Sequence, residues 1–233
     1  MRARSPKARV GAARAWLTSD GTLQSMETVR RRDWREMPRE WDDDASHVEP
    51  PAVVDANHAP LKVVRTFAFL DLSGFTSFTD EAGPTAAHEL LVAFRTLVRD
   101  VAGKRGVRVA KWIGDGVLLV SVVPTPVLAA AVDIAARVQD ERVAVRGGVS
   151  TGPVIILDGD DYVGRALNLA SRLCDSSSPG TVLADKDSCG ELPGWVEAVA
   201  HKALRLKGLG RRDDIMQLSI ANGIDVPVTK LLD

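Results

Sequence analysis

Cysteine is scarce in this chain, and long uninterrupted apolar runs are missing. Its 233 residues include two cysteines, Cys174 and Cys189, too few for a disulfide framework and without the paired spacing of a zinc site. The most apolar stretch, residues 117–132, is broken by Ser121 and Pro124, so it lacks the roughly 20 apolar residues of a membrane span. The basic N-terminus is not followed by the apolar core of a secretory signal peptide. We therefore expect free thiols, no membrane span and a cytoplasmic protein.

The chain also lacks an excess of charge of one sign. It carries 30 Lys/Arg against 31 Asp/Glu, a formal net charge of −1. Nucleic-acid-binding proteins usually show a basic excess, so no nucleic-acid partner is expected. The hydrophobic share of 45% and charged share of 26% are those of an ordinary soluble protein. The length has room for one sizeable domain and an appendage.

The first sixty residues segregate their charges. Residues 1–40 hold ten Lys/Arg and five Asp/Glu, whereas residues 41–60 hold five acidic residues and no Lys/Arg. Such segregation predicts a charged tail or linker that is disordered or regulatory. Trp16, Trp34 and Trp41 keep a second interpretation open, a short helix that docks on the domain or on a regulatory partner.

From Leu61 onward, short apolar runs alternate with helical patterns. Strands are predicted over 63–70, 107–113, 117–123, 143–150 and 154–157, and helices over 85–101, 127–138 and 164–174. A turn is predicted at Thr151-Gly152-Pro153. The βαββαβ order suits a ferredoxin-like α+β fold, an antiparallel-rich sheet with helices on one face. We expect a charged tail over 1–61, one domain over 62–222 and a C-terminal tail over 223–233.

Two aspartates lie where such a fold exposes polar groups. Asp71 follows the first strand and precedes a turn containing Gly74, and Asp115 lies between Gly114 and Gly116 in a predicted hairpin. Each alone is better explained as a turn residue. Together they could bind a hard cation such as Mg²⁺, which is held by one or two carboxylates plus substrate phosphates.

Four further polar residues are candidates for ligand contacts. Lys111 precedes the hairpin on a strand, where a lysine is usually a solvated edge residue. Asp161 lies in a turn, which a structural role explains equally well. Asn168 and Arg172 are spaced i, i+4 on a predicted helix, so both side chains lie on one face and could meet the same ligand. An exposed polar helix face would have the same pattern.

Five segments, taken in order, resemble the catalytic domain of class III adenylate and guanylate cyclases. They are DLSGFT (71–76), KWIGDG (111–116), RGGVSTG (146–152), DYVGRALNLASRL (161–173) and LKGLG (206–210). The resemblance covers about residues 62–220 and implies that family's ferredoxin-like βαββαβ fold. The short segment between Gly152 and Asp161 is similar to the compact bacterial branch.

The resemblance implies roles for the metal and phosphate residues. Asp71, Asp115 and the backbone carbonyl of Leu72 match the ligands of two divalent metal ions, Mg²⁺ or Mn²⁺. The residues that match phosphate contacts are the backbone of Gly74, Phe75 and Thr76 and the side chains of Arg146 and Lys207. With both metals, such a site activates the ribose 3′-OH for in-line attack on the α-phosphorus.

The same resemblance implies how the nucleotide is selected. Lys111 and Asp161 match the pair that recognises adenine, where guanylate cyclases typically carry Glu and a small Cys or Ser. Asn168 matches the residue that orients the ribose, and Arg172 the one that stabilises the pentavalent phosphorus. The expected activity is an adenylate cyclase, a phosphorus-oxygen lyase that makes cyclic AMP from ATP.

In this family, the site forms between two catalytic domains, one giving the metal aspartates and the other the base and ribose residues. Since one chain has both sets, the resemblance implies a homodimer with two equivalent sites. Two alternatives stay open. One is a guanylate cyclase, and the other is a cyclase-like module that binds nucleotide or dimerises with little or no turnover.

Overall fold

The computed structural model describes residues 15–17, 23–25, 60–138, 142–157, 161–229 and 231. The chain divides into two units, Met1–Val48 and Glu49–Asp233. In the first, β1 (Ala15–Leu17) pairs antiparallel with β2 (Leu23–Ser25), a hairpin that the sequence did not predict. The other predictions for the N-terminal tail lie outside the described residues.

The second unit contains the βαββαβ core and a C-terminal extension. Its core elements are β3 (Lys62–Ser73), α1 (Phe75–Lys104), β4 (Arg108–Ile113), β5 (Gly116–Ser121), α2 (Pro124–Arg137) and β6 (Ala144–Ile156). The elements that follow are β7 (Tyr162–Val163), α3 (Arg165–Ser176), β8 (Val182–Asp185), β9 (Val196–Ala200), β10 (Leu204–Leu206), β11 (Gly210–Arg212) and β12 (Ile215–Ile220). The predicted element order is confirmed.

One large sheet organises this unit. Its strand order is β4-β5-β3-β6-β8-β12-β9, with β7 added alongside β6. The β6 and β8 strands are parallel, and the other neighbouring pairs are antiparallel. The central strands β3 and β6 pair from Lys62 with Ile155 to Ser73 with Ala144. The predicted α+β fold with a mostly antiparallel sheet is confirmed.

Both faces of the sheet are covered. Side chains alternate along β3, so Ala68 and Leu70 belong to the core formed with α1 and α2, whereas Phe67 packs on the opposite face. There Ala166 and Ala170 of α3 cover it. We expected helices on one face, and α3 adds one on the other because that face of the sheet is also apolar.

Three predicted boundaries differ from the structure. The turn predicted at Thr151-Gly152-Pro153 is wrong, because β6 runs through it without a break. Pro153 is accommodated because the outer side of β6 pairs with β8 before it and with β7 after it, so its missing N–H costs no ladder bond. Strand β3 continues past Asp71 to Ser73, and α1 starts at Phe75, with a non-helical residue at Gly83 where Pro84 follows.

The described residues after β12 form no further helix or strand. The Thr229 N–H donates to the carbonyl of Arg137 over 2.8 Å. Leu231 is 5% exposed and belongs to the core of α1 and α2. Within the described part of the chain, no helix is both long and apolar enough to cross a membrane.

Candidate active site

Asp71 faces Arg146 across two central strands. The two residues are register partners on β3 and β6, which places both side chains on the same face of the sheet. Arg146 donates to Asp71 Oδ2 from Nε over 3.0 Å and from its terminal nitrogen over 2.7 Å. This hydrogen bond is the largest cause that raises the pKa of the Arg146 guanidinium above its ordinary value. Arg146, matched above to a phosphate contact, here neutralises a proposed metal ligand.

Asp115 is brought towards Asp71 by the β4-β5 hairpin. The turn consists of Gly114, at φ 60°, and Asp115. A Cβ on Gly116 would lie 2.9 Å from the Leu70 carbonyl oxygen and 3.3 Å from Asp71 Oδ1, so the hairpin approaches the end of β3 closely. Burial and, next, the negative charge of Asp71 raise the pKa of Asp115. A carboxyl whose proton affinity is raised by a neighbouring carboxylate marks a place where a cation is stabilised.

Both carboxylates open into one cavity of about 350 Å³, which we call the aspartate cavity. It is lined by Asp71, Leu72, Ser73, Gly74, Phe75, Thr76, Ser77, Asp115 and Arg146. Helix α1 begins here, with neither a side-chain cap nor an acidic residue in its first turn. Its first backbone N–H groups therefore face the cavity as donors suited to phosphate oxygens. Gly74 has φ 90°, and a Cβ there would lie 2.3 Å from the Arg142 carbonyl oxygen, so the turn requires glycine.

The donor set fits a hard divalent cation that shares its coordination with a substrate. The described residues contain no cluster of three or more His, Cys, Asp or Glu side chains able to hold a metal. Two carboxylates and the backbone oxygen of Leu72 are nevertheless the ligands on which Mg²⁺ relies when phosphates complete the shell. The aspartate cavity offers these oxygens beside the phosphate donors of α1.

Lys111 and Asp161, fifty residues apart in sequence, are brought together. Lys111 Nζ donates to Asp161 Oδ1 over 2.7 Å, with both side chains more than half exposed. They border a cavity of about 300 Å³, the base cavity, whose other lining residues are Phe69, Ala110, Ile113, Leu118, Leu157, Tyr162, Val163 and Leu167. An apolar slot with a donor and an acceptor at its edge suits a flat heteroaromatic ring.

Asn168 and Arg172 share one face of α3, as their spacing predicts. Arg172 donates to Asp175 over 3.0 Å, and Asn168 is exposed. The α3 residues that line a cavity with Asp71 are instead Ser171, Cys174 and Asp175. Asn168 and Arg172 do not themselves line the aspartate cavity of their own chain.

Lys207 belongs to a different part of the structure, the β10-β11 hairpin. It occupies the exposed tip of the β10-β11 hairpin, which packs through Leu206 against Leu169 and Leu173 of α3. Lys207 makes no hydrogen bond or ion pair within the described ranges. One chain thus assembles the aspartate cavity and the base cavity, and Asn168, Arg172 and Lys207 line neither of them.

Sequence reasoning missed two kinds of residue around these cavities. Ser73 and Ser77 line the aspartate cavity, and no feature of their spacing distinguished them from ordinary turn and helix residues. Asp175 holds Arg172, and here a signal existed, because an acidic residue three positions after an arginine on a helix is placed to pair with it.

Curated relatives match part of the chain. No family model matches it. An uncharacterised protein of Mycobacterium tuberculosis (strain H37Rv) is 40% identical over 142 residues, covering 60% of this chain and 37% of its own length. An adenylate cyclase of Glutamicibacter nicotianae is 28% identical over 173 residues, covering 72% of this chain and 42% of its own length. The chain thus spans about two fifths of the length of these relatives.

Solved structures match the fold over nearly their whole length. The catalytic core of a rhodopsin-guanylyl cyclase with converted specificity, in complex with ATPαS, gives a TM-score of 0.62 at 22% identity, covering 70% of this chain and 99% of that one. The adenylyl cyclase CyaB from Pseudomonas aeruginosa gives 0.57 at 23% identity, covering 71% and 98%. At these identities, the likeness establishes the fold.

Proposed function

Because the chain has the fold of a class III nucleotidyl cyclase catalytic domain, we propose that it converts ATP into 3′,5′-cyclic AMP and pyrophosphate. The observation that carries the proposal is the aspartate cavity, where two carboxylates, a guanidinium and the uncapped start of α1 converge. Similarity to named adenylate cyclases supports a cyclase activity. The remaining candidate residues are proposed to stabilise the phosphates and to select the base.

Asp71, Asp115 and the Leu72 carbonyl are proposed to hold two divalent metal ions. When bound, these ions lower the pKa of the ribose 3′-OH and neutralise charge on the triphosphate. Arg146 balances the charge of Asp71 while the site is empty of cations. With nucleotide bound, Arg146 would contact the β- and γ-phosphate oxygens, and the Asp71 carboxylate would be free to hold a metal ion. Arg146 would thus have a role both without and with bound nucleotide.

The protein's own donors and cations are proposed to stabilise the phosphates. The backbone amides of Gly74, Phe75 and Thr76 bind phosphate oxygens at the start of α1. Arg172 binds the α-phosphoryl oxygens, whose negative charge grows in the transition state, and its planar fork suits two oxygens at once. Lys207, exposed and without a partner in the described ranges, contacts the terminal phosphates.

Lys111 and Asp161 are proposed to select adenine. The Asp161 carboxylate accepts from the exocyclic amine, and the Lys111 ammonium donates to a ring nitrogen. Guanine carries a carbonyl where adenine carries the amine, so it would leave Asp161 facing an acceptor. A mismatch of directional polar groups in a site rejects the wrong base strongly.

A second copy of the chain is proposed to complete each site. Asn168 and Arg172 lie outside the aspartate cavity of their own chain, and Lys207 is exposed on a separate hairpin. In a two-fold homodimer, each partner can present these residues to the other's carboxylates, which creates two equivalent sites.

Purified protein incubated with ATP or GTP and with Mg²⁺ or Mn²⁺ tests the proposal, with cyclic nucleotide followed by chromatography. We expect cyclic AMP from the wild type and a loss of at least about 100-fold in kcat for Asp71→Ala and for Arg172→Ala, since each removes transition-state stabilisation. Asp100→Ala is the matched control, because Asp100 pairs with Lys104 on the exposed face of α1.

The outcomes separate the alternatives. Cyclic GMP in preference to cyclic AMP would replace the adenylate assignment with a guanylate cyclase. Nucleotide binding without product at any protein concentration would favour the inactive binding module. Unchanged product from Asp71→Ala would contradict the metal assignment.

A further inference from the structure

A β-bulge in β4 places two cations on the same face. Arg108 is the register partner of Val120 and Lys111 is that of Leu118, with the irregularity between Val109 and Lys111. Residues three apart in a regular strand point to opposite faces, but the extra residue restores the same direction. Arg108 and Lys111 therefore both project over the face that carries Phe67.

The Lys111 and Arg108 side chains contact two consecutive residues, Asp161 and Tyr162. Lys111 bonds Asp161, and Arg108 donates to the Tyr162 hydroxyl over 2.8 Å, with its guanidinium 6.0 Å from the ring centroid. The Tyr162 ring also makes an edge contact with Phe67, with centroids 5.2 Å apart. Phe67 is fully buried, so the ring contacts both a fixed aromatic side chain and a strand-borne cation.

The backbone around Asp161 is fixed as well. Ile156 and Tyr162 are register partners in the β6-β7 pair, and the Leu157 N–H donates to the Asp161 carbonyl over 2.8 Å. The Asp161 side chain itself is more than half exposed. Its direction depends on the hydrogen bond from Lys111 and on the orientation of the adjoining Tyr162 segment.

Resting on the proposed function, we propose that Arg108 and Tyr162 are positioning residues that set the selectivity for adenine. The Arg108-Tyr162 contact fixes the segment that carries Asp161, and the bulge aligns Lys111 with that carboxylate. Tyr162 also lines the base cavity, so its ring defines the width of the slot. Without this contact, the Asp161 side chain is free to rotate. The difference in affinity between an adenine and a guanine nucleotide then becomes smaller.

Titration calorimetry of the full chain tests this inference with 3′-deoxy-ATP and 3′-deoxy-GTP, which lack the attacking hydroxyl. Mn²⁺ is present throughout, and the readout is the ratio of the two dissociation constants. We expect Arg108→Gln and Tyr162→Phe each to lower the preference for 3′-deoxy-ATP about three- to tenfold, the size of one net hydrogen bond. Tyr162→Phe keeps the ring against Phe67, so this variant retains the packing.

A double-mutant cycle gives the sharper criterion. If the two residues act through one contact, Arg108→Gln with Tyr162→Phe should be no less selective than Arg108→Gln alone. Lys104→Gln is the control, since it breaks an exposed ion pair on α1 and should leave the ratio unchanged. An unchanged ratio in both single variants, additive losses in the double variant, or a wild type without preference would overturn the inference.

Failure of the proposed cyclase activity can be distinguished from failure of the positioning role. If the wild type produces no cyclic nucleotide from ATP but the selectivity of binding falls in both variants, the cyclase activity is refuted and the positioning role stands. If the wild type produces cyclic AMP and the variants bind both nucleotides with an unaltered ratio, the reverse holds.

Discussion

Mixing two inactive variants should restore activity if each site draws on two chains. Asp71→Ala removes the contribution of the aspartate cavity, and Arg172→Ala removes the proposed contribution of α3. In a mixed dimer, one site combines both defects, and the other combines the intact Asp71 of one chain with the intact Arg172 of the other. Each mixed dimer therefore keeps one working site of two.

The expected activity of the mixture follows from the number of intact sites in the mixed dimers. Equal amounts that exchange freely give about half mixed dimers, each with half its sites intact, so the mixture should reach about a quarter of wild-type specific activity. Cyclic AMP production is measured across mixing ratios and should peak at equal amounts. Each variant alone gives the baseline.

A second mixture is the matched control. Asp71→Ala with Asp115→Ala damages the same side of every site, so no mixed dimer contains an intact one. No recovery in the first mixture, despite demonstrated subunit exchange, would refute the shared site. Equal recovery in both mixtures would show that the residues are not divided between chains as proposed.

Two further predictions concern stability. Asp133 is 6% exposed and accepts from Arg105 over 2.6 Å and from Arg137 over 2.5 Å, so Asp133→Ala should lower the urea-derived free energy of unfolding by about 3 kcal/mol. Asp100→Ala, in an exposed pair, should change it by no more than about 0.5 kcal/mol, and equal losses would contradict this account. Burial raises the pKa of Asp185 above its ordinary value despite donors from Ser188 and Ser150, so its contribution to stability is lost as pH rises through the raised pKa. Asp185→Asn does not titrate there and should gain stability relative to wild type as the pH rises above the ordinary Asp pKa of 3.8, whereas a constant difference would oppose the assignment.

Much of the fold was accessible from the sequence because its signals are local. Apolar runs, helical spacing and the Gly114-Asp115-Gly116 turn are each defined within a few residues, and the βαββαβ order follows from them. The uninterrupted course of β6 was not accessible. Whether Pro153 breaks a strand depends on which neighbours pair with its outer side, and that is a property of the assembled sheet.

The candidate site, too, could be predicted from the sequence only in part. The motifs supplied the candidate residues, which stay predictions, and the structure brings Lys111 and Asp161 into the contact that the resemblance implies. The Asp71-Arg146 bond was not predicted, because cross-strand register between residues 75 apart cannot be obtained from periodicity. The alignment of Arg108 with Lys111 likewise depends on a bulge that leaves no recognisable mark in the sequence.

If Asp71 binds a metal ion as proposed, its bond to Arg146 must first be broken. Any cation that approaches Asp71 must outcompete a guanidinium already held through two hydrogen bonds. A monovalent ion brings no more charge than the resident arginine, so the exchange gains nothing electrostatically. A divalent ion doubles the attraction at the same distance and also frees a cation for the incoming triphosphate. Under the proposed function, the Arg146-Asp71 bond would therefore favour divalent over monovalent cations before any nucleotide binds.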